Sequence, residues 1–266
     1  MNTPSTLPKP LPTATPSWRR SLGGVWRLTY PRFLSPSQLG IFAGLLALLA
    51  LLAISGVRNG NVGHFAQWSV RFYLAFVVPV IAFLSAAGLI QDDMKPATAD
   101  YVLIRPVRRH SFVLYRYLTH TACLQVQCLL ALGVIIAVGM FRQIPDLVNA
   151  MPSLLLAQML AVAAFSAMGF AFGAFTNRYL VLGLFYAGVI ENGIGNIPTH
   201  LNRLSMTYHV RSIAGSVFHL NSTSPDAHST LSASTFALLA FSLVLLAGAA
   251  GIFALRETAG AKPKDT

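Results

Sequence analysis

The chain has 266 residues, of which 55% are hydrophobic and only 10% charged, where a soluble domain carries roughly a quarter charged residues. That composition excludes an ordinary water-soluble globular fold and points to an all-α integral membrane protein. A formal net charge of +11 would suggest nucleic acid in a soluble chain; here the cations cluster at the ends of apolar segments, where they set topology and meet headgroups, so no nucleic-acid partner is expected.

Residues 1–17 are rich in Pro, Ser and Thr, lack an apolar run, and read as a disordered cytosolic tail without the features of a signal peptide. Over 18–33, Trp18, Leu22, Val25 and Trp26 share one helical face and Arg20 and Arg27 lie opposite, which predicts a helix in the interface plane ended by Pro31. A solvated lead-in is the alternative. The rest, 34–256, reads as a six-helix transmembrane domain followed by a cytosolic tail over 257–266.

Spans are expected at about 38–55 and 70–90, the second kinked at Pro79. The stretch 91–110 then gathers Asp92, Asp93, Lys95, Asp100, Arg105, Arg108 and Arg109. At about 2.5–3.5 kcal/mol per charge at a span centre, it cannot enter hydrocarbon and must be a loop in water. Asp92 and Asp93 sit at a helix C-terminus, where the macrodipole disfavours them, so cations must compensate. The nearest in sequence are Lys95, Arg105, Arg108 and Arg109. Between Pro96 and Pro106, residues 97–104 are long enough for about two helical turns, a short surface helix presenting Tyr101 and Leu103 as a docking element.

A third span over 112–140 exceeds the roughly 20 residues a crossing needs, and its polar first turns, with Arg116, His120, Thr121, Gln125 and Gln127, should project into water or face protein. Cys123 and Cys128 share this helix and point in different directions, so neither a disulfide nor a metal site is implied. The fourth span, 153–175, contains Gly169 and Gly173 at G-x-x-x-G spacing, which permits close packing within the subunit or across a dimer.

The fifth span, 179–197, is irregular. Its apolar part, 179–190, gives roughly 18 Å of helix, too short for about 30 Å of hydrocarbon. Glu191, Asn192 and Asn196 follow where the helix breaks. An acidic residue at membrane depth is a candidate for an outer gate or pathway; a helix cap or an inter-helix hydrogen bond is the structural alternative. Residues 198–220 should form short re-entrant or interfacial helices before the sixth span at 235–255. With both termini in the cytoplasm, only Arg58, Arg71, Arg142, Arg203 and Arg211 of the 19 Lys and Arg fall outside, which favours that orientation and counts the short fifth segment as a crossing.

No phosphate-loop, zinc-protease or serine-hydrolase motif is present, so the chain is not expected to be an enzyme or to hold a cofactor. His110 and His120 read as packed or interfacial polar residues.

This order of elements resembles the permease subunits of type-2 ABC exporters. Members of that family show an acidic pair, a Thr some five residues later, an aromatic or Leu pair, then R-P-V followed by basic residues. Here these positions hold Asp92-Asp93, Thr98, Tyr101 with Leu103, Arg105-Pro106-Val107, Arg108-Arg109 and Arg116, and the segment from Glu191 to Pro198 with Ser205 and Tyr208–Arg211 is similar to the break after the family's fifth span. The first acidic position is more often Glu in the family. The resemblance implies a half-transporter in the bacterial inner membrane. It would pair with a second permease subunit and dock through the 91–110 coupling helix onto a separate ATPase subunit that holds ATP and Mg. Two other functions fit the same residues: a non-transporting membrane assembly component, and a secondary transporter or membrane enzyme working through Glu191 and His120.

Overall fold

The computed structural model describes residues 18–57, 60–94, 109–193, 200–215 and 230–260, and every regular element among them is helical. Helix α1 spans Trp18–Phe33 and α2 spans Pro36–Gly56. Pro31 does not end α1, which runs two residues further, because a proline in the last turn displaces little of the ladder. The face of α1 turned to protein carries Val25 and Thr29, whereas Trp18 and Trp26 are exposed.

Ser35 caps α2 by accepting from the Gln38 N–H, and Pro36 occupies the first turn, where its missing N–H costs nothing. The helix is almost wholly Leu, Ala and Ile, and only Leu49 and Ala53 are buried; Leu39, Ile41, Leu48 and Leu51 face outward, as lipid requires.

Helix α3, Val62–Asp93, starts eight residues before the expected 70. Asn61 accepts from the His64 N–H at 2.9 Å and nucleates its first turn. Between Gln67 and Val77 the turns widen to π geometry, and α-helical bonding resumes at Val78. The widening leads into Pro79, which has no N–H to give, so the ladder irregularity falls where a kink was expected.

Helix α4 spans Arg109–Phe141 and α5 spans Leu147–Phe175. At the centre of the bundle, α5 buries Ala157, Ala161, Ala164, Ala167 and Ala174. Small side chains let its neighbours approach. A Cβ on Gly169 would stand 2.5 Å from the Phe83 carbonyl oxygen and 2.8 Å from the Ala86 Cβ, and one on Gly173 would stand 2.9 Å from the Ala87 carbonyl oxygen. The two glycines thus mark the tightest approach of α5 to α3, backbone against backbone. Gln91 closes the C-terminal end of α5 by donating to the carbonyls of Gly173 and Thr176.

Helix α6, Tyr179–Phe185, continues as π turns over Tyr186–Gly193, with Leu180, Val181, Leu184 and Phe185 exposed. A 3-10 turn, His200–Leu204, leads into α7, Met206–Gly215, and α8 spans Leu231–Gly260. In the stretch expected to hold short re-entrant or interfacial helices, Met206, Val210 and Ile213 are buried in the bundle core, while Leu201 and Leu204 before them are exposed. Among the described residues, five helices are long and apolar enough to cross a membrane, namely α2, α3, α4 from Ser111, α5 and α8 to Leu255. The segment Tyr179–Glu191 is apolar but shorter. The chain is therefore a multi-pass helical membrane protein.

Candidate functional site

The charged end of α3 and the start of α4 flank residues 95–108 in the chain. Asp93 is 5% exposed and Arg116 is 6% exposed, a charge pair almost wholly removed from water. The Arg116 guanidinium donates from Nε to Asp93 Oδ2 at 2.7 Å and from Nη2 to Asp93 Oδ1 at 2.9 Å, the bidentate fork that matches a planar carboxylate. Its Nη1 donates to Thr29 Oγ1 on α1 at 2.8 Å. Thr29 in turn lies 3.1 Å from the Thr119 hydroxyl and donates to the Val25 carbonyl. Next to this buried network Arg32 pairs with Asp92 at the surface.

Three elements distant in sequence are therefore tied at one point. The macrodipole penalty on two carboxylates at a helix C-terminus is offset by guanidinium groups from α1 and α4. Of the cations nearest in sequence, Lys95, Arg105 and Arg108 lie outside the described residues, and of Arg109 only its place at the head of α4 is described. His120 lies one turn along α4, buried between the rings of Phe33 and Phe170 and 3.3 Å from the Ser85 hydroxyl.

Of the predicted docking residues, Asp92 and Asp93 are placed. Thr98, Tyr101, Leu103, Arg105, Pro106 and Arg108 lie outside the described residues, as does the expected surface helix over 97–104.

The second candidate sits at the break after α6. Glu191 is 8% exposed and its carboxylate receives four donors from the N-terminus of α7. Oε1 accepts from the Met206 N–H at 3.1 Å; Oε2 accepts from the Thr207 N–H at 3.1 Å, the Ser205 hydroxyl at 2.5 Å and the Thr207 hydroxyl. A carboxylate in this position satisfies orphan amides and meets the positive end of the helix dipole. Glu191 is thus a helix cap delivered from another element, with its lone pairs occupied. Asn192 belongs to the π turns, and Asn196 lies outside the described residues.

One turn along α7, His209 Nε2 lies 2.9 Å from the Arg203 carbonyl, and burial holds its imidazole below the ordinary range. Arg211 is lowered too, first by burial and then by the charge of Arg71, while Glu191 acts in the opposite sense.

Arg32, Thr29 and Thr119 were not singled out from sequence, although Val25, Thr29 and Arg32 recur at i, i+4 and i+7 on one face of α1. Among the described residues no group of three or more His, Cys, Asp or Glu is placed to hold a metal ion. Compared with family models and with curated proteins, the chain matches none.

Proposed function

We propose that this chain is the membrane-spanning subunit of an ATP-driven exporter with the type-2 ABC architecture. It would sit in a bacterial inner membrane with both termini cytoplasmic, and pair with a second permease subunit to form the translocation path. In this proposal the Tyr179–Gly193 segment, together with the break after it, completes a sixth crossing. ATP and Mg belong to a separate subunit that docks on the 91–110 loop.

The observation that carries the proposal is the bracing of that loop's base. A loop that only connects two spans has no need of a buried bidentate ion pair at its root, whose desolvation costs several kcal/mol per ion before Coulomb attraction and hydrogen bonds offset it. A loop that receives force does need a stiff root. With Arg116 joined to Asp93 and Thr29, and Arg32 joined to Asp92, a displacement of the loop moves α1, α3 and α4 together. The four donors on Glu191 favour a structural cap over the transporter or enzyme that would work through that carboxylate.

The test is purification with a soluble nucleotide-binding subunit from the native host. Wild type should retain it through affinity and size-exclusion steps, and Tyr101→Ala combined with Arg105→Glu should release it while the permease stays folded. Retention by the double variant would overturn the docking role of the loop.

A further inference from the structure

At the end of α3 opposite the 95–108 loop, an open groove of about 530 Å³ runs between the last turn of α2 and the first turns of α3. It is lined by Gly56, His64, Gln67, Trp68, Arg71 and Phe72. The face of α3 that borders it carries two parallel rows. His64, Gln67 and Arg71 form an exposed polar row, and Trp68, Phe72 and Phe76 form an aromatic ladder with ring centroids 5.3 and 6.1 Å apart. Gly56 makes room for the Trp68 ring, since a Cβ there would come within 2.7 Å of it.

Depth along the helix decides what this surface meets. Helix α3, with 32 residues, is roughly 48 Å long against about 30 Å of hydrocarbon, so roughly 9 Å projects at each end. His64 and Gln67 then stand in the headgroup layer. Arg71, nine residues into the helix, stands roughly 13 Å along, just inside the hydrocarbon boundary, with Phe72 and Phe76 deeper. A guanidinium at that depth reaches up toward the headgroups and calls for an anion. Among the described residues Arg71 has neither a hydrogen bond nor an ion pair, and its charge acts on Arg211 as a further repulsive cation.

We propose that the groove is a binding site for one anionic phospholipid, its phosphate held by Arg71 with Gln67 and His64, and its chain laid along Trp68, Phe72 and Phe76. The occupant is identified by order as well as charge. Going down the helix, polar donors, then a cation, then aromatic rings repeat the sequence of headgroup, phosphate and chain in a lipid. A free phosphate would use only the upper half of this surface. The site is independent of any ATPase partner, because it needs only the membrane crossing of α3.

The test uses Trp68 as its own reporter. The chain has 3 tryptophans, so Trp18→Phe with Trp26→Phe leaves Trp68 alone. The full-length protein is reconstituted in phosphatidylcholine vesicles containing brominated phosphatidylglycerol or brominated phosphatidylcholine. Fluorescence quenching should show about a fivefold preference for the anionic lipid, the size expected of one cation near the membrane surface. Arg71→Gln should bring the two lipids to near parity, and Arg71→Lys, which keeps the charge, should retain most of the preference. Inorganic phosphate at matched ionic strength should leave it unchanged. Equal quenching in wild type, or a preference that survives Arg71→Gln, would overturn the site. Loss of the preference to inorganic phosphate would mark a soluble-anion site instead. Absence of quenching by either lipid would mean that protein, such as a second copy of the chain, covers the groove; both results overturn the proposal.

Discussion

Arg116 gives the sharpest stability prediction. Replacing it with Met removes two charge-assisted hydrogen bonds to Asp93, at 2.7 and 2.9 Å, and one to Thr29 at 2.8 Å. The carboxylate of Asp93 stays behind, 5% exposed and at the unfavourable end of a helix dipole. Breaking a buried pair from one side costs about 3–5 kcal/mol, and Asp93→Leu should cost a similar amount by stranding the guanidinium. Replacing both partners with apolar side chains of similar bulk removes both desolvation penalties, so the Asp93→Leu, Arg116→Met double variant should be less destabilised than either single one. The assay is equilibrium unfolding in mixed micelles, followed by circular dichroism, over the full double-mutant cycle. Additivity of the two losses to within about 0.5 kcal/mol would refute the claim that they act as one unit.

Other expectations follow from the same contacts. Gly169→Val should destabilise by at least about 1–3 kcal/mol in that assay, because its Cβ would meet the Phe83 carbonyl, which is backbone and cannot swing aside. Glu191→Ala should cost about 1–2 kcal/mol and speed hydrogen exchange at the Met206 and Thr207 amides, while Glu191→Gln, which keeps one acceptor, should lose less. The surface pair of Arg32 and Asp92 is about 36–46% exposed, so Arg32→Ala should change stability by less than about 1 kcal/mol. His209 is held neutral by burial, so its folded pKa lies below its unfolded one. Its contribution is complete above the ordinary imidazole range and falls as the pH drops through that range, because the unfolded chain takes up the proton first. A thermal melt of wild type should therefore lose stability between about pH 7 and pH 5, and His209→Gln should flatten part of that slope.

Apolar segments were legible in the sequence because hydropathy over twenty residues is a strong local signal, and the all-helical membrane class followed from it. Helix ends were less so. Helix α3 reaches back to Val62 because Asn61 caps it and because His64 and Gln67 can stand in the headgroup layer without breaking the helix. The acidic pair was recognisable as needing cations, but sequence proximity favoured the loop's own residues. Among the described residues Asp93 pairs with Arg116, 23 residues away, and Asp92 with Arg32, 60 residues away, through packing of α1 and α4 that sequence proximity does not show. Glu191 was noticeable by its depth. Its role as a cap depends on α7 folding back to present Ser205, Met206 and Thr207, and the local hint is a pair of hydroxyl residues, Ser205 and Thr207, at the start of an amphipathic helix.

Whatever touches the chain between α3 and α4 decides whether this protein is driven by a separate ATPase. A photo-crosslinking amino acid placed at Tyr101 in the full-length protein, in its native membrane, reports that contact directly. The prediction is a crosslink to a nucleotide-binding subunit whose yield changes when ATP is trapped. A residue at 101 that crosslinks only to lipid, or to a protein on the opposite side of the membrane, would contradict it.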